Sequence, residues 1–524
     1  MEKTTNRDLG IELSFLDKRE NSFKITARLF ADKERSSVFY TLNGEKKEAV
    51  LCQYAKTNDT LCYIFEILLD NSLLKSRQAL SFDEDVRTGP FFPIEFKCNG
   101  YFLKGDVIVY NEGSTLVTEP YSKELLKARK KKYKVLALNK TALVAYAIRM
   151  LNKALRVFQK KELWLISDRI DKAGDNGQVF FEYVTRNTPK NVKPVFVLDK
   201  KSPDYKEIKK IGKVVSPLSP FYKIRYTLAS MHISSQLDGS RLLKVRAYLK
   251  DILNDSKVIF LQHGVIEHDS SSYYNRFDFG MDMFVTTTRG EYDSIVGIKA
   301  YGCDRDIVEL CGLCRYDKLE NKRKNIIFVC PTWRLSLLED TESLRLKDGF
   351  EESAYYNFYQ SLLRNENLLK KVRDKGYKIC FYPHRMMKNA KKHFDLSSDC
   401  IIDGEGISYT EMFKSGAILV TDYSSVQFDF TYLKKPVIYC QFDKEEFFSS
   451  HTCQEGYMEY ERDGLGPVCY DLDSAVNTLC EYIDNGAELE EKYRERIDNT
   501  FKFTDRQNCE RTLKRILEIR NDEF

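Results

Sequence analysis

The distribution of apolar residues predicts two consecutive α/β units in the C-terminal part of the chain. Short apolar runs alternate there with longer amphipathic stretches, which is typical of buried parallel strands connected by helices. Before a charged break at 320–325, the predicted strands are Leu163–Ser167, Pro194–Leu198, Met231–Ser234, Val258–Leu261, Met283–Thr286 and Val308–Leu310. The pattern restarts at Ile326–Cys330, so we predict two Rossmann-like domains, 162–320 and 321–524, that face each other across a cleft.

The first 120 residues follow a different pattern, which predicts a β-rich domain. Apolar or alternating runs are separated by Asn, Gly, Asp and Pro, the residues of turns between strands. The runs are Ile11–Phe15, Phe23–Phe30, Val38–Leu42, Leu61–Leu69 and Phe102–Tyr110. We therefore predict a small β-sandwich-like domain at 1–120. No motif in it suggests chemistry, which leaves acceptor recognition or a scaffolding role, and we favour scaffolding.

Residues 121–161 are basic and follow a helical pattern. Lys123–Lys161 contains 13 Lys or Arg residues against one acid, Glu124. One helical stripe is apolar and a second is basic: Val144, Ala147, Ile148, Leu151, Leu155 and Phe158 on the first, Arg149, Lys153, Arg156 and Lys160 on the second. Such a helix can lie on an anionic membrane surface, or it can pack on the next domain with a solvated basic face. Both interpretations stand.

Composition and charge narrow the class of protein. A chain of 524 residues with 43% hydrophobic content is long enough for roughly three domains. The net charge of +5 is too small for a dedicated nucleic-acid-binding protein, and no apolar run is long enough to span a bilayer. The polar Met1–Asp8 segment lacks a signal core and the 14 cysteines are scattered, so we expect a protein of the reducing cytosol.

No metal or cofactor is expected. Cys311 and Cys314 form a lone CxxC pair without the second pair or the histidines that a zinc site needs. The chain contains neither a GxGxxG fingerprint nor a Walker loop, which disfavours NAD-type cofactors and P-loop ATP hydrolysis.

Three predicted strands of the second α/β unit end in groups that suit a phosphate. The run Ile418–Val420 leads into Thr421-Asp422-Tyr423-Ser424-Ser425 and then into a predicted helix, Val426–Leu433. The other two strands lead into Pro331-Thr332-Trp333-Arg334 and Pro383-His384-Arg385. Hydroxyls, free backbone N–H groups and cations favour an anion at such positions. Together they predict a nucleotide-diphosphate site at the C-terminal edge of a parallel sheet.

Two histidines occupy matched positions, one in each α/β unit. His263 follows the strand Val258–Leu261 and precedes Gly264, which lets a ligand approach closely, and His384 follows the strand Ile379–Tyr382. Because the unperturbed pKa of histidine is about 6.5, a neutral ring can accept a proton at cytosolic pH. We predict that the two histidines face each other across the cleft and that His263 is a general base. A structural histidine bonded to backbone is the alternative for either one.

A polar turn follows the first strand of the first unit. Asp168 and Arg169 come directly after Leu163–Ser167, and Asp175 and Asn176 lie in the Gly-bracketed turn 174–177 before a helix. This turn can hold an acceptor, or it can simply cap the helix.

These motifs resemble the signatures of the CDP-glycerol glycerophosphotransferases, which build teichoic acids and related phosphopolyol polymers. The resemblance covers about 162–510 and leaves out the N-terminal β region. It rests on Leu163–Arg169, Asp175–Gly177, Phe260–Gly264, Gly312–Asp317, Pro331–Arg334, Tyr382–His384, Thr421–Ser425 and Tyr460–Pro467. The chain departs from the family pattern at Cys314, where proline is expected, and at Arg385, where proline is frequent after the histidine.

The resemblance implies a GT-B-type fold in which an acceptor hydroxyl attacks the phosphorus attached to glycerol and CMP leaves. His263 is then the base, and His384 shares the catalytic role by binding and neutralising the pyrophosphate. The implied donor and phosphate ligands are Thr332, Arg334, Arg385, Asp422, Ser424 and Ser425, with Asp422 holding the turn or a donor hydroxyl. The implied acceptor side is Asp168, Arg169, Asp175 and Asn176. Fixed cations and a helix dipole stabilise the leaving group without a metal.

The same resemblance implies a lipid-linked glycan acceptor and a peripheral position on the inner face of the cell membrane, which the basic segment 121–161 would suit. Three other interpretations remain open. CDP-ribitol can replace CDP-glycerol as the donor. The fold can instead serve a sugar-nucleotide glycosyltransferase or epimerase. The chain can also be a glycan-binding protein without activity, although His263, His384 and the Ser424-Ser425 pair argue against that.

Overall fold

Two parallel sheets and two mainly antiparallel sheets make up the protein. The computed structural model describes residues 9–18, 22–57, 60–70, 75–89, 101–104, 107–112, 115–133, 150–219, 221–237, 256–450 and 454–521. The parallel sheets follow the antiparallel ones in the chain. The predicted α/β organisation is therefore confirmed.

The N-terminal strands form a five-stranded sheet, β5-β6-β2-β1-β8, and a six-stranded sheet, β4-β3-β7-β11-β10-β9. Both sheets contribute to one hydrophobic cluster, with Phe23 and Phe65 from the first and Leu80 and Val109 from the second. The strands β1–β11 are Gly10–Lys18, Ser22–Ala31, Ser37–Leu42, Glu45–Val50, Cys52–Thr57, Thr60–Asp70, Gln78–Phe82, Val86–Thr88, Tyr101–Lys104, Val107–Glu112 and Thr115–Pro120.

One run predicted as a single strand in this region contains two strands in the structure. Phe102–Tyr110 is two antiparallel strands, β9 and β10, in which Lys104 pairs with Val107. The turn-forming dipeptide Gly105-Asp106 separates them in the sequence, and that signal was stronger than the apolar content around it.

The first α/β sheet contains seven parallel strands in the order β14-β13-β12-β15-β16-β17-β18. The strands β12–β18 are Glu162–Ser167, Val192–Val197, Val214–Val215, Met231–Ser234, Lys257–Phe260, Met283–Thr286 and Val308–Leu310. The second sheet has the order β21-β20-β19-β22-β23-β24. Its strands β19–β24 are Ile326–Val329, Lys378–Phe381, Ile401–Asp403, Ile418–Thr421, Val437–Cys440 and Val468–Cys469. The strands predicted from the apolar runs of these two units are all present, within two residues at each end.

Both parallel sheets are doubly wound. The chain moves outward from β12 to β14 and then returns to the other side with β15, and it does the same from β19 to β21 and then β22. Strands such as β22 and β23 are buried along their whole length because helices cover both faces of the sheet. In this topology ligands bind beyond the carboxyl ends of the strands, where the strand order reverses.

Helices connect the strands and cover the sheets. The helices α1–α16 are Lys123–Tyr133, 150–157, Asn176–Arg186, Tyr205–Ile211, Tyr222–Leu228, Arg276–Phe279, Arg289–Gly297, Ala354–Arg364, Glu366–Asp374, Tyr409–Ser415, Val426–Tyr432, Lys444–Ser450, Tyr460–Asp463, Leu472–Asp484, Glu491–Thr500 and Asn508–Asn521. Among the described residues, no helix is both long and apolar enough to cross a membrane.

The helix α16 returns to the first α/β domain, although the sequence analysis grouped it with the second. Its Leu513 and Ile516 belong to the hydrophobic cluster of Trp164 and Phe180 in the first domain. Arg515 also forms an ion pair with Glu309 and Arg520 one with Glu162, at 2.6 and 2.7 Å. The sequence of an amphipathic helix does not show which sheet the helix covers. We assigned α16 to the second domain from chain order alone, and that assignment was wrong.

The basic segment is described in part. The helix α2 lies against α5, because the Nδ2 group of Asn152 donates to the Thr227 carbonyl at 3.3 Å. It leaves Val157 and Phe158 each 80% exposed. Val144, Ala147, Ile148 and Arg149 of the predicted stripes lie outside the described residues.

Candidate active site

The two parallel sheets meet at the carboxyl ends of their strands. The turn after β16 contains Gly264, and the turn after β22 contains Ser425. A Cβ atom placed on Gly264 would lie 2.9 Å from the Ser425 Oγ, so the two turns touch. This contact brings the predicted base and the predicted phosphate-binding turn to one place, between the two domains.

The backbone before His263 is held in an unusual conformation. Gln262 has a φ of 61°, in the left-handed region that costs a non-glycine residue roughly 1–2 kcal/mol. Buried hydrogen bonds offset that cost, because its Nε2 donates to the Val285 carbonyl at 2.6 Å and to the Glu291 Oε1 at 3.0 Å. Its own carbonyl accepts from the Asn176 Nδ2 at 2.7 Å. The result is a rigid turn that leaves the His263 side chain exposed.

His384 lies on the other side of the cleft. Its Nδ1 accepts a hydrogen bond from the Met386 N–H at 3.3 Å, and its ring stacks on Trp333 with 22° between the planes. The pKa of His384 is lowered to about 4, chiefly by burial, with the charge of Asp422 opposing the shift and that of His263 adding to it. The neutral ring therefore carries its proton on Nε2 and can donate it to an anion. His263 and His384 follow the strands β16 and β20 of the two sheets, and their facing each other across the cleft stays a prediction.

Asp422 holds two turns together beneath the site. One oxygen accepts the N–H groups of Thr332 and Tyr423 at 2.9 and 2.7 Å, and the other accepts from the Arg334 Nη2 and the Tyr359 hydroxyl at 2.8 and 3.1 Å. Burial alone would raise the pKa of Asp422, but the Arg334 guanidinium and these donors lower it below its usual value. Asp422 is thus a carboxylate that fixes the turn, which was one of its two predicted roles.

Arg334 is not placed to bind a phosphate in this structure. Its side chain is 2% exposed and pairs with Asp422 and with Asp443, where Nε reaches Oδ2 at 2.8 Å. Its Nη1 donates to the Thr332 carbonyl at 2.8 Å. A guanidinium whose donors are already bonded to two carboxylates and a carbonyl has none left for a ligand. The predicted phosphate-binding role is therefore replaced by a structural one, in which Arg334 supports the Asp422 turn.

Among the predicted phosphate ligands, all of which lie in the described part of the chain, two hydroxyls and one cation remain accessible to an anion. Ser424 and Ser425 are partly exposed, and Arg385 is exposed. The Thr332 Oγ1 is buried and has no hydrogen-bond partner among the described residues. Such an unpaired buried hydroxyl is unfavourable unless a ligand satisfies it.

The predicted acceptor-side residues are mostly engaged within the protein. Asp168 is buried and accepts the N–H groups of Gly177 and Gln178, at 2.7 and 3.0 Å, and the Ser235 hydroxyl at 2.7 Å. It therefore accepts N–H groups of the first turn of α3, whose N-cap is Asp175, and these contacts favour the capping interpretation of the turn 174–177. Asn176 is fully buried, and Arg169 pairs with Asp171 on the surface.

Arg315 joins both domains, and the sequence analysis gave it no role. Its Nη1 donates to the Asp175 Oδ1 at 2.8 Å and to the His263 carbonyl at 2.7 Å. Its Nε and Nη2 donate to the two oxygens of Asp429, on α11 of the second domain, at 2.5 and 2.7 Å. The Arg315 N–H also donates to the Asn176 Oδ1 at 2.8 Å. One guanidinium thus connects the base turn, the α3 turn and the helix that follows Ser425.

Comparison with known proteins identifies the family of this site. A family model for CDP-Glycerol:Poly(glycerophosphate) glycerophosphotransferase matches residues 148–518. The minor teichoic acid biosynthesis protein GgaB of Bacillus subtilis is 33% identical over 444 residues, which are 81% of this chain and 48% of that protein. A teichoic acid poly(glycerol phosphate) polymerase of Staphylococcus epidermidis is 24% identical over 355 residues, 62% of this chain and 45% of that protein. The chain thus spans about half the length of these curated relatives.

A solved structure supports the same fold. The structure of the wall teichoic acid polymerase TagF aligns with 72% of this chain and 96% of its own, at 20% identity and a TM-score of 0.50. At that identity the likeness concerns the fold alone, which is α/β with parallel sheets and consistent with a GT-B-like fold. The residues that the family model matches, 148–518, include both parallel sheets, the turn of His263, Arg315 and the turn of Ser424 and Ser425. The chain belongs to the CDP-glycerol:poly(glycerophosphate) glycerophosphotransferase family.

Proposed function

We propose that this chain transfers glycerol phosphate from CDP-glycerol to a hydroxyl of a lipid-linked glycan or of a growing polyol-phosphate chain, releasing CMP, in teichoic acid or capsular polymer synthesis. The observation that carries the proposal is the contact between the Gly264 turn and Ser425, since it joins a candidate base to candidate phosphate ligands. Membership of the family and the functions that the names of the relatives state support the same reaction.

In this reaction His263 takes the proton of the acceptor hydroxyl. The acceptor oxygen attacks the phosphorus attached to glycerol, a new P–O bond forms, and the bond to the CMP phosphate breaks with its electron pair leaving on CMP. Neutral His263 is the form that can accept the proton. The hydroxyl of Tyr274 lies 3.3 Å from the His263 Nε2 and orients the ring.

We assign the pyrophosphate to donors on the second domain. The hydroxyls of Thr332, Ser424 and Ser425 and the exposed Arg385 supply hydrogen bonds and charge. His384 contributes a neutral N–H, because burial lowers its pKa. Charge that develops on the leaving phosphate is stabilised when such donors are already in place. We propose no metal or cofactor for this step.

We further propose that the protein acts at the inner face of the cell membrane. Val157, Phe158, Leu218 and Phe221 are exposed apolar side chains, and hydrogen bonds from α2 to Thr227 tie their two segments together. The pKa of Lys213 is lowered, first by the charge of Lys193 and then by burial and the charge of Arg225, as expected where several positive charges lie close together. Apolar side chains among basic ones suit an anionic membrane surface. The basic residues of these segments are Lys153, Arg156, Lys160, Lys161, Lys223 and Arg225.

The finer organisation of the chain is part of the proposal. We treat the two N-terminal sheets, which share one core, as a sandwich-like domain at 1–120, and 121–161 as the linker that meets the membrane. The acceptor domain is then 162–320 and the donor domain begins at 321, with α16 closing the acceptor domain. The two α/β domains face each other across the cleft that holds His263 and His384.

The test is CMP release by the purified protein with CDP-glycerol, with CDP-ribitol in parallel and a lipid-linked or saccharide acceptor present. We expect release from CDP-glycerol that His263→Ala abolishes. His393→Ala is the matched control, because that partly buried histidine pairs with Glu351 and has no role in the proposed reaction. Release from CDP-ribitol alone would keep the mechanism and change the donor. No release from either donor would contradict the proposal.

A further inference from the structure

The N-terminal five-stranded sheet docks onto the first α/β domain through one cross-strand pair of opposite charges. Asp17 on β1 and Lys24 on β2 lie directly opposite each other in the antiparallel ladder. Asp17 accepts two hydrogen bonds from Arg276, both at 2.9 Å, and Lys24 donates to Asp304 at 2.5 Å. Lys24 and Arg276 are 4% and 9% exposed. Each member of the pair therefore has a partner of the opposite sign in the neighbouring domain, the buried Arg276 for Asp17 and the partly exposed Asp304 for Lys24.

Aromatic contacts surround this double ion pair. The Phe15 ring lies 5.5 Å from the Phe277 ring, and the Arg276 guanidinium lies 4.2 Å above Phe15. Arg28 of β2 lies 4.8 Å above the Phe277 ring in the same way. Close charge pairs and cation–π contacts that are shielded from water define one relative position of two surfaces.

The docked segment of the first domain leads directly to the candidate base. Tyr274 precedes α6 by two residues, stacks on Phe260 of β16 with ring centroids 5.6 Å apart, and places its hydroxyl 3.3 Å from the His263 Nε2. Asn275 is fully buried and caps α6, accepting from the Asp278 N–H at 2.9 Å. The link between Tyr274 and Arg276 is thus short and stiff.

We infer that the N-terminal sheet holds the 270–280 segment, and with it Tyr274, in the position that aligns His263 for proton transfer. This inference rests on the proposed function and gives residues 1–120 a role in it that the family match, which begins at 148, leaves unassigned. Tyr274 and Arg276 are positioning residues, since they act through His263.

The charge balance explains why the sheet controls the segment. Without Asp17, the hydrogen bonds of the Arg276 guanidinium to described residues reduce to the one with the Met281 carbonyl at 3.1 Å, and Asp282 acts on it only as a nearby charge. A buried guanidinium that loses its carboxylate is strongly destabilised where it lies and must move toward water. Because only one residue separates Arg276 from Tyr274, that movement changes the contact with His263.

The inference is tested with the full chain and three variants. Asp17→Asn removes the charge and keeps the shape, Tyr274→Phe removes the hydroxyl, and Lys46→Gln is a control because the exposed Lys46–Asp83 pair lies elsewhere in the N-terminal sheets. Hydrogen–deuterium exchange follows residues 269–280. CMP release gives kcat, the KM for the donor, and the pH dependence of kcat/KM.

In Asp17→Asn we expect faster exchange in 269–280, by about fivefold or more, and a kcat lowered by about tenfold with the donor KM almost unchanged. Tyr274→Phe shifts the acidic limb of the kcat/KM profile, because a hydrogen bond to one form of His263 is lost. Lys46→Gln changes neither readout. A second docking variant, Lys24→Gln, repeats the exchange measurement if Asp17→Asn does not fold.

Two results overturn the inference. One is unchanged exchange in 269–280 when either docking pair is broken in a folded protein. The other is a loss of thermal stability without any change in the pH profile or in kcat. Failure of the proposed function is distinguishable from both, because it removes CMP release from the wild-type chain while the exchange experiment still reports on the docking.

Discussion

At the scale of single residues, Arg315 is the side chain on which both halves of the cleft depend. Arg315→Gln leaves Asp429, whose side chain is 2% exposed, as a buried carboxylate without its cation. Losing one partner of such a pair costs about 3–5 kcal/mol, so we expect that loss in the free energy of unfolding, measured with urea, and a large loss of kcat/KM. Arg289→Gln is the control, because its pair with Asp293 is exposed and such pairs contribute less than about 1 kcal/mol.

A double variant separates the pair from other effects. If Arg315 and Asp429 act as one unit, Arg315→Gln combined with Asp429→Asn costs less than the sum of the two single changes. Additive losses of unfolding free energy would show that Arg315 and Asp429 do not act as one unit.

His384 makes a prediction about pH. Burial lowers its pKa to about 4 in the folded protein, while an unfolded chain titrates near 6.5. As pH falls from 6.5 to 4, the unfolded chain takes up this proton and the folded protein does not, so the contribution of His384 to stability is present above 6.5 and is lost through that window. Urea midpoints between pH 4 and 7 should therefore fall more steeply in the wild type than in His384→Gln. Parallel curves would show that the ring is not held neutral.

Sequence position located some site residues and could not locate others. His384 and Ser425 follow strands of one parallel sheet, whose carboxyl ends share one edge, so their common location was predictable, while His263 follows a strand of the other sheet. Arg334 also follows a strand, but the sequence does not distinguish a guanidinium that points into the protein from one that points toward a ligand. Its partner Asp443 lies 109 positions away. Arg315 was missed for the same reason, with partners 140 and 114 positions distant.

At the scale of elements, the contact of the two turns gives a steric prediction. Gly264→Ala brings a methyl group 2.9 Å from the Ser425 Oγ, which must rotate away. We expect a change in unfolding free energy below about 1 kcal/mol, because only a side-chain end moves, and a loss of about tenfold or more in kcat/KM, because a phosphate ligand is displaced. Gly297→Ala is the matched control, since nothing lies within 4 Å of its new methyl group. Equal kinetic effects in both variants would contradict the contact.

Strands were predictable where their own apolar residues indicated that they are buried. The strands predicted in the parallel sheets are mainly apolar and were found within two residues, whereas the short strands β14, β21 and β24 were not predicted. Strand β2 alternates apolar residues with Lys24, Thr26 and Arg28, a pattern typical of a strand with one solvated face. The structure buries those three at 4%, 4% and 3% exposure, because the first α/β domain covers the polar face. The sequence of a strand alone does not show that another domain will cover its polar face.

At the scale of the whole molecule, α16 ties the end of the described chain to the first α/β domain. Ile516→Ala removes a fully buried side chain from the cluster that contains Trp164, which costs about 2–5 kcal/mol. The chain has only two tryptophans, Trp164 and Trp333, so in a Trp333→Phe background the fluorescence of Trp164 reports unfolding of the first domain. We expect its urea midpoint to fall in Ile516→Ala. In the exposed control Lys514→Ala, the free energy of unfolding should stay within about 0.5 kcal/mol of the wild-type value. An unchanged midpoint in Ile516→Ala would exclude α16 from this core.

The return of α16 also determines when the first domain can mature on the ribosome. Cys314 and Cys509, which contact each other across this junction, are 195 positions apart. At ~5–20 residues per second, translation takes about 10–40 s to cover that distance. Until then the apolar surface around Trp164 lacks its cover while the second sheet is still emerging. Synthesis and packing run in opposite orders here, so the nascent chain, more than the finished protein, is the state that needs protection from aggregation.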